Sequence, residues 1–337
     1  MVICIMEIRE CTPFISVLIP TLNEERYIED CLMSLLLNDY PRTSIEILVI
    51  DGCSSDSTVE RVKNLQLQFD NLRILENRKV IQAAALNIGL QVARGDIVLR
   101  ADAHALYHKE YIGNCVQLLL SSCASNVGGK QIAHGTNSFS RAVAYSLSSF
   151  VGVGDAAKRS RDQSYLVDSV SFGAWWRNEL IELGGFNENW VANEDYECNY
   201  RLRLKGGKIL YSPNIKFTYF PRDNIRSLAH QYYRNGFWRS KTVTTYPKSM
   251  RLRQAVPPIL LICLLISLSI LPIAPIYGIV LPGLYSLVLT LATLKALVGE
   301  RQAFTFYLPI VYLTMHSSFA IGFLRGLAKW SRESYFT

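Results

Sequence analysis

The chain has 337 residues, half of them hydrophobic, and a net charge of +7 from 35 Lys and Arg against 28 Asp and Glu. This length allows one large domain or two ordinary ones. The hydrophobic excess is unevenly spread, because residues 254–294 contain no Asp, Glu, Lys, Arg or His. The composition therefore argues against a wholly soluble protein and predicts a membrane-embedded part.

The basic excess is concentrated between Arg222 and Arg253, where eight Lys and Arg stand against one acid, Asp223. This segment directly precedes the apolar run, so the positive-inside rule assigns it to the cytoplasmic face, near anionic headgroups. A nucleic-acid patch is the competing interpretation. Adjacency to membrane helices argues against it, and we expect no nucleic-acid partner.

Strands and helices alternate along the first 105 residues. Period-2 and continuous apolar patterns predict strands at residues 14–19, 45–50, 72–75 and 97–99. Patterns with a period of 3.6 residues predict helices at 24–36, 58–69 and 80–93. Because the links between them are short, the alternation predicts an α/β fold with a parallel, doubly wound sheet.

Three polar loops follow these strands: Asn23–Glu25, Asp51–Asp56 and Asp102–His104. The carboxyl ends of parallel strands lie at one edge of a sheet, so we expect the three loops to converge there. Asp102 and His104 lie two residues apart, and in extended backbone such side chains point the same way and can share one divalent cation. The alternative is that Asp102 and His104 are satisfied by hydrogen bonds within the loop and bind no metal.

The next part of the chain, to about residue 220, has a mixed pattern. Helices are predicted at Lys109–Ser121, Phe139–Ser149, Arg177–Leu183 and residues 194–205, and strands at Val167–Phe172 and Lys208–Tyr211. The helix that begins at residue 194 would hold Glu194 and Asp195 in its first turn. The helix dipole stabilises negative charge at that position.

The apolar run is long enough for two helices joined by a turn, since about 20 apolar residues cross the roughly 30 Å hydrocarbon core. We predict helices at Val256–Leu271 and Ile279–Val298, with the turn at Pro272 and Pro275. The predicted organisation is therefore a cytosolic domain of residues 1–245. Residues 246–337 would form a basic juxtamembrane segment with two to three transmembrane helices.

A third apolar stretch, Phe304–Leu324, raises a conflict over the C-terminus. Three crossings would put the C-terminus outside, whereas Arg325, Lys329 and Arg332 favour the cytoplasm. Either the third stretch lies in the membrane interface or re-enters, or the charge rule is broken here.

Five motifs in the chain resemble those of the inverting family 2 glycosyltransferases, in order and spacing. They are Ile19-Pro20-Thr21-Leu22-Asn23-Glu24-Glu25, Val49-Ile50-Asp51-Gly52-x-Ser54-x-Asp56, Ala85-Leu86-Asn87-Ile88-Gly89, Asp102-Ala103-His104 and Glu194-Asp195. Four more stretches resemble the membrane-anchored, succinoglycan-type exopolysaccharide glucosyltransferases: Val98–His104, Gly152–Gly154, Asp168–Gly173 and Gln231–Gly236. The resemblance implies a GT-A fold followed by C-terminal transmembrane helices.

The resemblance also implies a donor site. The residues it assigns to donor binding are Pro20, Thr21, Asn23, Glu24, Asp51 and Asp102. Asp51 would accept a hydrogen bond from the nucleotide base. Asp102 would hold Mn²⁺ or Mg²⁺ on the diphosphate. His104 replaces the family's second aspartate, and it would either bind the metal or donate a hydrogen bond to a phosphate.

For the acceptor side, the resemblance implies that Asp195 is the catalytic base and that Glu194 orients it or contacts the acceptor. Gln231, Arg234 and Trp238 resemble the family's Gln-x-x-Arg region, which contacts the diphosphate and the acceptor. Asn235 stands where processive members have Trp, which argues against a polymerising synthase.

The implied function is transfer of a sugar, with UDP-hexose as the expected donor, to a lipid-linked saccharide in polysaccharide or glycan assembly. The protein would lie in the cytoplasmic membrane with its catalytic domain facing the cytosol. Two alternatives stay open: a polyprenyl-phosphate sugar synthase, and a non-catalytic membrane protein that binds nucleotide sugars.

Overall fold

The computed structural model describes residues 12–154 and 163–333. The described chain forms two compact units. The first unit holds the described residues up to Gly129, together with Ser164–Glu188 and Arg201–Phe217. The second unit holds the other described residues, including Asn189–Tyr200 and those from Thr218 onward. The predicted boundary at residue 245 stays a prediction.

Nine strands in the described residues join in one sheet. They are β1 (Ile15–Thr21), β2 (Ile45–Asp51), β3 (Leu72–Glu76), β4 (Ile97–Arg100), β5 (Ala105–Tyr107), β6 (Asn126–Ala133), β7 (Tyr165–Leu166), β8 (Ala174–Trp176) and β9 (Ile209–Tyr219). The order is β3-β2-β1-β4-β8-β6-β9-β5, and β7 pairs with β9. β1 to β4 pair in parallel, as predicted, whereas β8 pairs antiparallel with β4 and β6. The sheet is therefore mixed.

The helices in the described residues include every one that the periodicity predicts. They are α1 (Ile28–Leu36), α2 (Thr58–Gln66), α3 (Gln82–Val92), α4 (Tyr111–Ser121), α5 (Ser138–Ser148), α6 (Phe150–Val153), α7 (Arg177–Glu182), α8 (Glu194–Leu204), α9 (Ile225–Thr245), α10 (Leu252–Ile270), α11 (Pro275–Glu300) and α12 (Leu308–Glu333). β1, β2 and β4 are almost wholly buried, as expected for parallel strands with both faces covered.

Local backbone conformation explains two differences from the sequence predictions. α3 begins at Gln82 rather than at residue 80, because Val80 has a φ of 60° and cannot continue a right-handed helix. The strand predicted at Val167–Phe172 is wrong. Phe172 has a φ of 52°, and the extended segments are the short β7 and β8 on either side of this stretch.

Three apolar helices end the described chain, at Leu252–Ile270, Pro275–Glu300 and, with a preceding 3₁₀ turn, Ala303–Arg332. Each is long and apolar enough to cross a membrane. The turn between the first two is at residues 271–274, and Pro275 is the first residue of α11, a position that proline favours. The three helices agree with the prediction of a membrane-associated C-terminal part.

Candidate active site

The loops that follow β1 and β2 are bonded to each other in the first unit. Gly52 N–H donates to the Thr21 carbonyl at 2.8 Å, and Asn23 N–H donates to Ser54 Oγ at 2.8 Å. Asn23 adopts a left-handed conformation, with a φ of 53°, and its side-chain oxygen accepts from Ser55 N–H at 2.8 Å. The predicted convergence of these two loops is therefore present.

Asp51 is the last residue of β2 and is buried. One carboxylate oxygen accepts from Ser54 Oγ at 2.6 Å and the other from Ser54 N–H at 2.9 Å. Ser54 thus fixes the orientation of the carboxylate. Asp56 has a structural role at the start of α2, since its side chain accepts from Thr58 N–H at 3.0 Å and from the Thr58 hydroxyl.

Asp102 lies just beyond β4 and is held from two sides. Its Oδ1 accepts from Arg100 Nη2 at 3.3 Å and from Gln82 Nε2 at 3.4 Å. Its backbone N–H donates to the buried Tyr107 hydroxyl at 2.7 Å. Both side-chain bonds of Asp102 in the described chain use Oδ1, so Oδ2 is available to a cation.

His104 and Glu24 form a pair across the same loops. His104 Nδ1 lies 3.0 Å from Glu24 Oε1, and both side chains are about three-quarters buried. Glu24 comes from the loop after β1, whereas His104 comes from the loop after β4. The structure therefore brings together two of the residues that the sequence assigned to the donor site.

The side chains at this site fit a metal ion that is coordinated mainly by the diphosphate of a bound nucleotide sugar. Within the described residues, no three His, Cys, Asp or Glu side chains are grouped as a metal cage. Asp102 Oδ2 offers one hard oxygen, the ligand type that Mg²⁺ and Mn²⁺ prefer. A cation here would complete its coordination mainly with diphosphate oxygens and water, and His104 is the one further candidate ligand among the predicted site residues.

The second unit holds the candidate base. Asp195 and the buried Glu194 occupy the first turn of α8, as predicted from the sequence. Tyr196 N–H donates to Asp195 Oδ1 at 2.7 Å, and the Tyr196 hydroxyl donates to the Ser249 carbonyl at 2.8 Å. This fixes the turn against the segment that leads into α10.

Arg239 on α9 also contacts this turn. Its guanidinium carbon lies 3.5 Å from the centroid of the Tyr196 ring, and Nη2 donates to Asn193 Oδ1 at 3.3 Å. Burial lowers the pKa of Arg239 to about 10, and the charge of Asp195 opposes that shift. Arg239 is therefore still a cation at neutral pH.

The three predicted residues of the Gln-x-x-Arg region all lie on α9 but in different surroundings. Gln231 Nε2 donates to the Tyr219 hydroxyl at 3.1 Å, and the exposed Arg234 donates to the Val191 carbonyl at 2.7 Å. Trp238 packs against Trp330 of α12, with ring centroids 5.6 Å apart. Their predicted roles toward the acceptor and the diphosphate stay predictions.

Sequence reasoning missed Arg100, Gln82 and Arg239. Arg100 contacts Asp102 from the end of β4, two residues away, whereas Gln82 contacts it from α3, which reaches β4 only after the chain folds. Arg239 could have been found from the sequence, because it lies four residues after Asn235 and the two residues therefore share one face of the helix. Asn193 bonds to both, donating to the Asn235 carbonyl at 3.1 Å and accepting from Arg239.

The family model "Glycosyl transferase family 2" matches residues 16–182, from β1 to α7. This chain carries a glycosyltransferase family 2 domain. The matched range includes Asp51 and Asp102, and it ends before Asp195 and the apolar helices.

Curated relatives extend the similarity beyond the family 2 domain. One from Methanococcus voltae is the dolichyl N-acetyl-alpha-D-glucosaminyl phosphate 3-beta-D-2,3-diacetamido-2,3-dideoxy-beta-D-glucuronosyltransferase, 28% identical over 94% of this chain and 98% of its own length. Another is the succinoglycan biosynthesis protein ExoA of Rhizobium meliloti, 26% identical over 94% of this chain and 96% of its own.

A solved structure supports the fold. The mannosyltransferase PcManGT from Pyrobaculum calidifontis, in complex with GDP-Man and Mn²⁺, has a TM-score of 0.61 and 20% identity, over 95% of this chain and 88% of its own. The family 2 domain of residues 16–182 therefore has the predicted GT-A fold.

Proposed function

We propose that this glycosyltransferase inverts the donor's anomeric configuration, depends on a divalent metal, and transfers a sugar from a nucleotide-diphosphate sugar to a lipid-linked saccharide. UDP-hexose is the expected donor class. The name of the Methanococcus relative begins with a dolichyl-phosphate-linked sugar, and that of the Rhizobium relative refers to succinoglycan biosynthesis. Both relatives align with most of this chain, the apolar helices included.

The single observation that carries the proposal is that Asp195 belongs to the same compact unit as the apolar helices. The residue after it, Tyr196, bonds to Ser249, three residues before α10 begins. Arg239, which also contacts Tyr196, lies on α9. A base tied to membrane helices suits an acceptor that is itself held in the membrane by a lipid.

The chemistry assigned to Asp195 is general base catalysis. Its carboxylate takes the proton of the acceptor hydroxyl while the hydroxyl oxygen bonds to the anomeric carbon. The bond from that carbon to the nucleoside diphosphate breaks on the opposite face, so the configuration inverts. A base in this role contributes about 10²- to 10⁴-fold in rate. Glu194, buried beside it, would orient the base.

The donor side is assigned to the first unit. Asp51, oriented by Ser54, would accept a hydrogen bond from the nucleotide base, and the loop from Pro20 to Glu24 would line the same pocket. Asp102 Oδ2 would hold Mn²⁺ or Mg²⁺. When bound, the metal neutralises negative charge that develops on the departing diphosphate. His104 would bind either that metal or a phosphate oxygen.

The deciding experiment is a screen of UDP- and GDP-sugars with the full-length protein in membranes, using polyprenyl-diphosphate saccharides as acceptors. We expect transfer with one donor in the presence of Mn²⁺ or Mg²⁺, with a product of inverted anomeric configuration by NMR. Retained configuration would contradict the mechanism.

Two other outcomes of the same screen would replace the proposal. Transfer to polyprenyl phosphate itself, with no transfer to saccharide acceptors, would identify a polyprenyl-phosphate sugar synthase. Donor binding without turnover on any acceptor would identify a binding protein.

A further inference from the structure

The third apolar helix differs from the other two in how much of it is covered by protein. In the most apolar stretch of α10, 17% of the residues are buried, and in that of α11, 11%. In the corresponding stretch of α12, 44% are buried. Most large apolar side chains of α10 and α11 are exposed, as in helices that face lipid, although α11 buries Leu289 and Ala296 on one face. α12 has a more extensive protein-covered side.

The covered side of α12 lies along α9. A Cβ atom at Gly322 would lie 2.1 Å from the Tyr233 carbonyl oxygen, and one at Gly236 would lie 2.1 Å from the Phe319 carbonyl oxygen. Farther along, a Cβ at Gly326 would lie 2.0 Å from Ser240 Oγ. Gly322 meets Tyr233, whereas the later residues Gly326 and Trp330 meet the later stretch from Phe237 to Ser240, so α9 and α12 run parallel and in close contact.

α9 is unsuited to the hydrocarbon core. Its Lys and Arg side chains are Arg226, Arg234, Arg239 and Lys241. Each cation at the bilayer centre is costly, and these are distributed along the length of the helix. Because α12 packs along α9, the two helices occupy similar depths, and the cations of α9 place that depth at the border of the core rather than at its centre.

The middle of α12 is also packed against polar groups. His316 Nε2 lies 2.8 Å from the Val151 carbonyl oxygen, and its Nδ1 lies 2.9 Å from the hydroxyl of Tyr285 on α11. The Tyr312 hydroxyl donates to Ser149 Oγ at 3.0 Å. Val151 and Ser149 belong to the segment of α5 and α6, which does not have the length of a membrane span.

The outer side of α12 divides into two parts. Exposed apolar side chains come first: Phe306 in the preceding turn, then Ile310, Leu313 and Ile321. The exposed basic side chains Arg325 and Arg332 follow on that side, whereas the ammonium of Lys329 lies over the rings of Trp330 and of Phe237 on α9. An apolar stripe followed by cations is typical of a helix that lies on a bilayer with anionic headgroups.

We propose that of the three apolar helices only α10 and α11 cross the bilayer, and that α12 lies in the membrane interface beside α9. Its cations contact anionic headgroups on the side that holds Asp195. The C-terminus is then on that side too, which removes the conflict between three crossings and the basic C-terminal residues. The inference extends the membrane anchoring of the proposed function and does not depend on sugar transfer.

Protease access tests the number of crossings. A cleavable epitope tag is placed before Met1, between Ile273 and Ala274, or after Thr337, in otherwise intact protein in sealed inverted membrane vesicles. We expect the two terminal tags to be cleaved in intact vesicles and the tag at Ile273 only after detergent is added. A C-terminal tag that needs detergent while the N-terminal tag does not would overturn the proposal. Because protease access needs no turnover, failure of the topology and failure of the enzymatic activity are distinguishable.

Lipid dependence tests the surface contact independently of inserted tags. The wild type, an Arg325→Gln/Arg332→Gln variant and a Lys63→Gln/Lys109→Gln control are compared in zwitterionic and anionic nanodiscs by thermal unfolding. We expect anionic lipid to raise the Tm of the wild type and the control, and to raise that of the Arg variant less. An equal gain in all three proteins would overturn the headgroup contact.

Discussion

The guanidinium carbon of Arg239 lies 3.5 Å from the centroid of the Tyr196 ring, and Tyr196 directly follows the proposed base Asp195. The same guanidinium donates to Asn193, two residues before Asp195. α9 therefore contacts the residues on both sides of the Glu194-Asp195 pair. This makes Arg239 a positioning residue for the first turn of α8.

Replacing Arg239 should lower turnover through the position of the base. We expect Arg239→Met to reduce kcat for transfer by about 10²-fold, since displacements of about 1 Å at a reacting group have effects of that size. KM for the nucleotide sugar should change little. Arg239→Lys, which keeps the cation, should recover part of the loss. Arg226→Met, an exposed position on the same helix, is the control. Equal losses in both Met variants would contradict the positioning role.

Replacing Asp102 should weaken metal use. We expect Asp102→Asn to raise the Mn²⁺ concentration for half-maximal activity by at least about tenfold, because loss of even an outer-shell metal partner has effects of 10- to 100-fold. Asp70→Asn, an exposed carboxylate paired with Arg42, is the control. Full activity of the wild type in excess chelator would rule out the metal role.

His104→Gln separates the two roles left open for that residue. A metal ligand would change the Mn²⁺ titration, whereas a phosphate contact would raise KM for the donor and leave the titration unchanged. With either result, Glu24 is the residue that orients the imidazole ring of His104.

The close approach of α9 and α12 should not tolerate a side chain at Gly322. We expect Gly322→Ala to lower the free energy of unfolding by about 1–3 kcal/mol, since a Cβ there would meet the Tyr233 carbonyl oxygen. Gly283→Ala in α11 has no heavy atom within 4 Å of the new Cβ and serves as the matched control. A Tm loss at Gly283 as large as that at Gly322 would argue against a tight α9–α12 contact.

Glu188 should make unfolding sensitive to acid. A hydrogen bond from Lys79 at 2.6 Å, and another from Asn87 at 3.1 Å, hold the pKa of Glu188 below its ordinary value. A carboxyl with a lowered folded pKa adds stability that is full above its ordinary pKa of about 4.3 and is lost as the pH falls through the folded value. We expect this part of the acid sensitivity to be absent in Glu188→Gln, measured by thermal unfolding from pH 6 to pH 3. Parallel curves for the two proteins would contradict it.

The parts predictable from sequence are those with local signals. β1, β2 and β4 are continuous apolar runs followed by polar loops, so their boundaries and their shared edge were predictable. The two acids in the first turn of α8 were predictable for the same reason. Asn87, noted only as part of a motif, has a structural role, since it bonds to Phe186 and Glu188.

The parts that were not predictable depend on contacts between distant segments. No pattern near Asp102 indicates that Gln82, which is remote in sequence, would share its Oδ1 with the neighbouring Arg100. Hydropathy alone predicts α12 as a span, because it does not register that a neighbouring helix with Arg239 and Lys241 lies along it. In the antiparallel half of the sheet only the start of β9 was predicted, as the strand at Lys208–Tyr211, because short strands such as β7 and β8 lack a usable period.

The most direct test of the central claim is a comparison of donor binding and transfer in Asp195→Asn. If Asp195 is the base, the variant binds the nucleotide sugar with the wild-type Kd by calorimetry, and its rate of transfer to a lipid-linked saccharide falls by about 10²- to 10⁴-fold. A transfer rate within a few-fold of the wild type, with binding unchanged, would contradict the assignment of Asp195 as the catalytic base.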